Sequence, residues 1–362
     1  MLDVPVAMPL SVDLDAGSWA LVVAFCTLAT FLSARRIFAR GGVRRVARAV
    51  ALMTFALSAL AIAQEATARG MMYWRWRPID EGAYPFGPFV NRNHFGTWAI
   101  LAVPLILGYM AAHISAHRQD PRSHVPWRAR LRVAADSRTV LLMAAAMLTV
   151  VAAFVSLSRS AMFGLAMALL AGAWFRQPEG SAARQRPARW LIAGLLLATI
   201  AILFRVDPTA IGERVAAAPV SLAGRLAIWN DTLPVVRDFW LTGTGAGTYE
   251  TVMLLYQRSM PEVRFNQAHN HYLQLAAEGG LLLGIPLVLA FRAFVRDATE
   301  MITRDDSGMY YLRAGAICGL LGVSAQSLFE TGLATPANAF LAAALAAIAV
   351  HVPLRAERSG DA

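Results

Sequence analysis

The run Gln267-Ala-His-Asn-His-Tyr-Leu-Gln-Leu-Ala-Ala-Glu-Gly-Gly280 carries two histidines and passes directly into an apolar segment. Imidazole is the side chain most easily set up as a base near neutral pH. His269 or His271 could therefore take a proton from a substrate at the edge of a membrane. Three readings fit the local residues. In the first, one of these histidines is a general base and Asn270 orients it or binds sugar. In the second, His-x-His ligates zinc or copper, with His94 as a distant third ligand. In the third, the residues are polar caps before a helix, with Asn270 as the N-cap. Glu278 follows about two and a half helical turns beyond His269, where it contacts substrate, balances an arginine or lies in a polar seam.

Other polar groups stand out against apolar surroundings. In Ser156-Leu-Ser-Arg-Ser-Ala161 two apolar runs meet with almost no loop between them. An arginine at the centre of a membrane helix costs about 2.5–3.5 kcal/mol on insertion scales, so Arg159 needs an anion or a route to water. An anionic phosphate would suit it, with Ser158 and Ser160 as further donors; the alternative is an arginine snorkelling at a helix end. Arg225 lies in Ala223-Gly-Arg-Leu-Ala-Ile-Trp-Asn230. There Leu222, Leu226, Trp229, Leu233 and Val236 recur at helical spacing, predicting a helix with one apolar stripe that lies on the membrane or packs on the bundle. Arg237 and Asp238 read as solvated charges. Asn91, Arg92, Asn93 and His94 follow a loop rich in aromatics; amides and aromatic rings suit sugars, and an interfacial aromatic belt is the other reading. Gly243-Thr-Gly-Ala-Gly247 has no βαβ unit around it, so a turn ending the amphipathic helix is expected rather than a phosphate loop.

These groups need a membrane scaffold to position them. The 362 residues are 57% hydrophobic and 15% charged, with a mean hydropathy of +0.49; a soluble domain is about 45–50% apolar and about 25% charged. The fold expected is all-α, a single polytopic integral membrane domain over 1–362. A span takes about 20 apolar residues, and nine runs qualify: 17–34, 46–64, 94–113, 139–157, 160–175, 190–205, 272–295, 310–329 and 333–352. The first follows an acidic tail and is not expected to be a cleaved signal peptide. Cys26 and Cys318 both lie in apolar runs and imply no disulfide or zinc framework. All 33 basic residues are arginine, and the net charge of +10 does not point to nucleic acid, because the arginines lie mainly in short loops. On alternating sides they divide 22 to 11. The positive-inside rule then puts the N-terminus outside and the C-terminus in the cytoplasm. Asn91–His94, Arg159, the 206–271 loop and Glu330 then share the outer face.

In this order the motifs Asn91-Arg-Asn-His-Phe95, Ser158-Arg-Ser160, Gly224-Arg-Leu-Ala-Ile-Trp229 and His269-Asn-His-Tyr-Leu273, with Glu278-Gly-Gly280, resemble the bacterial O-antigen ligase family. That family also holds O-antigen and exopolysaccharide polymerases and some protein O-oligosaccharyltransferases. The resemblance runs from about Gly87 to Ala339, with 139–296 as the ligase-like core and 206–271 as a periplasmic catalytic loop. It departs at Leu283, where the family pattern has glycine and this chain has Gly284 one residue later. Phe329-Glu-Thr-Gly-Leu-Ala-Thr-Pro-Ala-Asn-Ala339 looks more like the polymerase branch. The resemblance implies an inner-membrane glycosyltransferase with its site on the periplasmic side, needing neither metal nor cofactor. Its donor would be a glycan on undecaprenyl diphosphate. Its acceptor would be a glycan, lipid A-core or growing polysaccharide. The family's essential histidine matches His269, and its two phosphate-facing arginines match Arg159 and Arg225. Substrate contacts are expected from Asn91, Arg92, Asn93, His94, Ser158, Ser160, Asn270, His271 and Glu278. The competing class is a non-enzymatic polysaccharide transporter, or a membrane scaffold whose outer loop binds a partner.

Overall fold

The computed structural model describes residues 11–79, 83–116, 136–175, 218–305 and 307–353. Its helices are α1 (Leu14–Ala39), α2 (Val43–Thr67), α3 (Arg92–Ala116), α4 (Ser137–Val155), α5 (Arg159–Trp174), α6 (Ala218–Asp238), α7 (Tyr249–Tyr256), α8 (His271–Thr303), α9 (Met309–Gln326) and α10 (Pro336–Val350), with a 3₁₀ turn at Gly332–Ala334. Among the described residues there is no strand, only the bridges Met72–Trp76 and Phe86–Phe89. Eight of the nine apolar runs fall on helices; the run 190–205 lies outside the described residues, as do the arginines of 118–132 and 176–189. Five described helices, α1, α2, α3, α4 and α8, are long and apolar enough to cross a membrane. At 16 residues α5 reaches only about 24 Å, short of a hydrocarbon core of about 30 Å.

Apolar on all sides, α3 is the centre of the bundle, and nearly every residue from Phe95 to Ser115 is buried. Helices α9, α5, α4 and α2 pack around it. Gly96 lets the start of α3 meet the start of α5: a Cβ there would lie 2.3 Å from that of Ala161. Small residues allow such close approach between membrane helices, and this contact sets the α3 amides beside the Ser158 turn. At the periphery, α1 exposes Leu21, Phe25 and Leu28, and the later part of α8 exposes Leu282, Ile285, Leu289 and Phe291. Rows of exposed apolar side chains on helices of spanning length are surfaces made for lipid.

The α6 stripe divides between its two expected placements: Trp229 and Val236 pack on the protein, and the three leucines do not. Leu222, Leu226 and Leu233 are exposed, whereas Ile228, Asp231, Thr232 and Val235 are buried. The reason lies in α7: Tyr249, Val252 and Met253 form a small second core with Ile228, Val235, Phe265 and Ala268, and the Thr232 and Tyr249 hydroxyls hydrogen-bond at 2.7 Å. Arg237 and Asp238 pair with each other, exposed, as solvated charges do.

Gly243–Gly247 forms a turn after α6, as expected, and it also docks into a break in α8. Gly280 has φ 52° and ψ −155°, a conformation nearly reserved for glycine. The freed backbone is satisfied by the turn: Leu281 and Leu282 N–H donate to Trp240 and Leu241 carbonyls, and Thr244 and Gly245 N–H donate to Ala277 and Glu278 carbonyls. The start of α8, carrying the histidine loop, is thereby locked to α6 and α7.

Candidate active site

Four pieces of chain meet around a cleft of about 300 Å³, lined by Arg92 and Asn93 of α3, Leu157–Ser160 between α4 and α5, Gly224, Arg225 and Ile228 of α6, then Met260 and His269. Each piece is fixed locally. Asn91 accepts the Asn93 N–H at 2.8 Å and so shapes the start of α3. Ser158 caps α5, accepting from the Ala161 N–H at 3.3 Å. Asp231 accepts the Arg258 and Ser259 N–H groups at 2.9 and 2.7 Å, which holds the turn that presents Met260. Leu157, Met260 and His269 have φ of 53°, 49° and 48°. A left-handed non-glycine residue costs about 1–3 kcal/mol and tends to occur at functional sites; three of them share this cleft.

Behind the cleft lies Glu330, completely buried. His269 Nδ1 is 3.1 Å from its Oε1, and Asn93 donates its amide to Oε2. Arg225 Nη2 is 3.6 Å from that same oxygen. Asn93 in turn accepts from the Ser158 hydroxyl at 2.7 Å, and the Ser158 and Ser160 hydroxyls are 3.3 Å apart. His269, Glu330, Asn93 and Ser158 are thus linked in one chain, with Glu330 behind the cleft and the other three lining it. Burial alone would push the Glu330 carboxyl up. The His269 hydrogen bond and the charges of His269, Arg225 and His94 outweigh it and hold the carboxyl below its ordinary value. For Arg225 the balance goes the other way. Burial lowers its pKa, Glu330 opposes this, and the Arg159 charge lowers it further. An arginine remains cationic even so, so the cleft holds a partly buried guanidinium penalised by a second one nearby. An entering anion would relieve both.

Of the expected site residues, His269, Arg159, Arg225, Arg92, Asn93, Ser158 and Ser160 line this one cleft. The others are placed behind or beside it. Asn91 is the local cap. His94 makes a 3.0 Å contact from Nδ1 to the Thr335 hydroxyl, its carbonyl accepts from Asn338, and its Nε2 is buried without a partner. Asn270 is the N-cap of α8, accepting from the Leu273 N–H at 3.1 Å; Glu330, not Asn270, holds His269. His271 begins α8 with its N–H on the Ser327 carbonyl, its Nδ1 buried without a partner. Glu278 accepts from the Gly247 and Tyr249 N–H groups and from Gln274. It is tied to the start of α7 rather than to the cleft. Among the described residues no three His, Cys, Asp or Glu side chains gather as an ion site.

Residues 144–288 match the family model described as O-antigen ligase. This segment belongs to the O-antigen ligase family. The ligase segment contains Ser158, Arg159, Ser160, Arg225 and His269. Asn93 and Glu330, which complete the cleft from α3 and from the turn after α9, lie outside it. No curated protein and no solved structure matches the chain significantly. The segment match together with the five helices of spanning length points to a membrane protein, and the match itself to an enzyme of glycosyltransferase type. Glu330 is the site residue that the sequence reading left without a role. A lone acid between two apolar runs, 310–329 and 333–352, was its available signal, since an ionisable residue at such a place needs a partner.

Proposed function

We propose that the chain transfers a glycan from undecaprenyl diphosphate to a sugar hydroxyl on the periplasmic face of the inner membrane, as an O-antigen ligase or surface-polysaccharide polymerase. The observation that carries this reading is one cleft holding His269 together with Arg159 and Arg225. His269 takes the proton of the acceptor hydroxyl as its oxygen attacks the anomeric carbon. The bond from that carbon to the diphosphate breaks, and its electron pair leaves with the phosphate. Two guanidinium groups aimed at the developing charge stabilise it without a metal. Asn93, Arg92, Ser158 and Ser160 supply further donors to phosphate or sugar. The exposed α6 leucines rest on the membrane beside the lipid carrier, within the periplasmic 206–271 loop. The N-terminus is periplasmic and the C-terminus cytoplasmic.

The test uses purified enzyme, lipid-linked donor and acceptor. His269→Ala should lower turnover about 10²–10⁴-fold, the usual worth of a positioned base, while the protein still inserts and retains donor. Normal turnover in that variant would overturn the assignment. Activity should also survive EDTA; loss on chelation, restored by added metal, would return the metal reading.

A further inference from the structure

Glu330 touches the histidine and one of the arginines at once. One carboxylate oxygen meets His269 Nδ1 at 3.1 Å, and the other is shared between Asn93 and Arg225. A carboxylate on Nδ1 fixes the proton there and leaves Nε2 as the acceptor nitrogen. The Arg225 contact, at 3.6 Å, is looser than a bidentate pair and can be given up to a better anion. A tetrahedral phosphate offers an edge of two anionic oxygens to the planar guanidinium fork, a bidentate pairing that the Glu330 contact does not make.

We propose that Glu330 is the positioning residue of this site and that it couples the base to the anion site. It holds the His269 proton on Nδ1 and leaves Nε2 open to the acceptor. When phosphate enters the cleft, Arg225 turns from Glu330 to it. This rests on the reading of His269 as base and of Arg159 and Arg225 as the diphosphate site.

The consequence is an order of events. In the empty cleft the Glu330 charge is shared by Asn93, Arg225 and His269, with His94 of α3 behind it and Arg159 of α5 beyond Arg225. Once the donor draws Arg225 away, a completely buried carboxylate has lost one cation, and its field falls more fully on His269. Proton transfer to the imidazole is thereby tied to the presence of the leaving group. The acceptor proton then passes to Nε2, the new glycosidic bond forms, and the imidazolium so created is balanced by Glu330. Asn93 keeps the carboxylate from following Arg225.

The experiment compares Glu330→Gln and Glu330→Asp with wild type and His269→Ala, all as full-length enzyme in nanodiscs with lipid-linked donor and acceptor. For Glu330→Gln the expected result is a kcat lowered about 10²-fold or more, with donor affinity equal or tighter because Arg225 has lost its competitor. The acid limb of the kcat profile should move to lower pH, since the carboxylate no longer favours the imidazolium. Glu330→Asp should recover part of the rate and return the limb toward wild type. Wild-type kcat and an unmoved limb in Glu330→Gln, with His269→Ala inactive, would overturn the coupling while leaving the base reading intact. Parallel losses of kcat and donor affinity without a moved limb would also overturn it, as a merely structural role. Normal turnover in His269→Ala would instead remove the base reading itself. If Glu330→Gln fails to insert, the same two readouts on Glu330→Asp decide: a lowered rate with intact donor affinity supports the coupling, and joint losses refute it.

Discussion

The indole N–H of Trp229 donates to the carbonyl of Ala268 at 2.9 Å, one residue before His269. Helix α6 carries Arg225 and Trp229 one turn apart, so a single helix sets the arginine and pins the loop that presents the histidine. The pinning is needed because His269 has a φ of 48°. Trp229→Phe keeps the ring and leaves the carbonyl without its donor, a cost of about 1–3 kcal/mol if the carbonyl stays dry. We expect turnover to fall about tenfold, which corresponds to about 1.4 kcal/mol in the barrier, with donor affinity nearly unchanged. Steady-state kinetics with both substrates varied would check this. A pure loss of donor affinity would show that Trp229 serves the anion site instead.

Arg159 and Arg225 lie on different helices and share one cleft. Lysine offers a point charge where arginine offers a planar fork. Arg159→Lys and Arg225→Lys should each lower kcat/KM by at least about tenfold, the scale of a lost charge-assisted hydrogen bond of about 1.5–3 kcal/mol. Near-normal values in both variants would argue against a diphosphate between them.

The sequence made the members of the site legible and left their connections hidden. Arg159 was visible because an arginine among apolar residues needs a reason, and Ser158 because it stands where a helix begins. The stripe Leu222–Val236 predicted α6 correctly, but periodicity alone could not say which face goes inward. Thr232 and Asp231, buried polar residues hydrogen-bonded to Tyr249 and to the 258–259 backbone, decided it. Glu278 and Asn270 each accept from backbone amides, and in a sequence polarity near a site looks alike whether it faces a ligand or a backbone amide. The partnership of His269 with Glu330 spans 61 residues, and no local spacing encodes it.

Glu330 also gives the fold a pH dependence. Its carboxyl titrates below its ordinary value in the folded protein, so ionisation favours folding. That contribution is fully present above the unfolded value, about 4.3, and is lost as pH falls through the lower folded value. Thermal melts in detergent should therefore show wild type losing stability below about pH 4.3, more steeply than Glu330→Gln. Equal pH slopes for the two proteins would contradict the depressed carboxyl.

Asn93 offers a sharper test of the buried chain, because its two ends do different work. The amide nitrogen donates to Glu330, and the oxygen accepts from the Ser158 hydroxyl. Asn93→Ala removes both partners and leaves a buried hydroxyl and carboxylate less satisfied, which should cost about 1–3 kcal/mol of stability. Asn93→Asp keeps the shape and the acceptor for Ser158 but sets a second carboxylate against Glu330. Two carboxylates sharing one site cannot both ionise cheaply, so one of them takes up a proton. Asn93→Asp should therefore melt well below wild type at neutral pH and regain part of the difference on mild acidification, opposite in sign to wild type. A melting temperature for Asn93→Asp that tracks wild type across pH 5–8 would mean that the Asn93 amide does not face the Glu330 carboxylate.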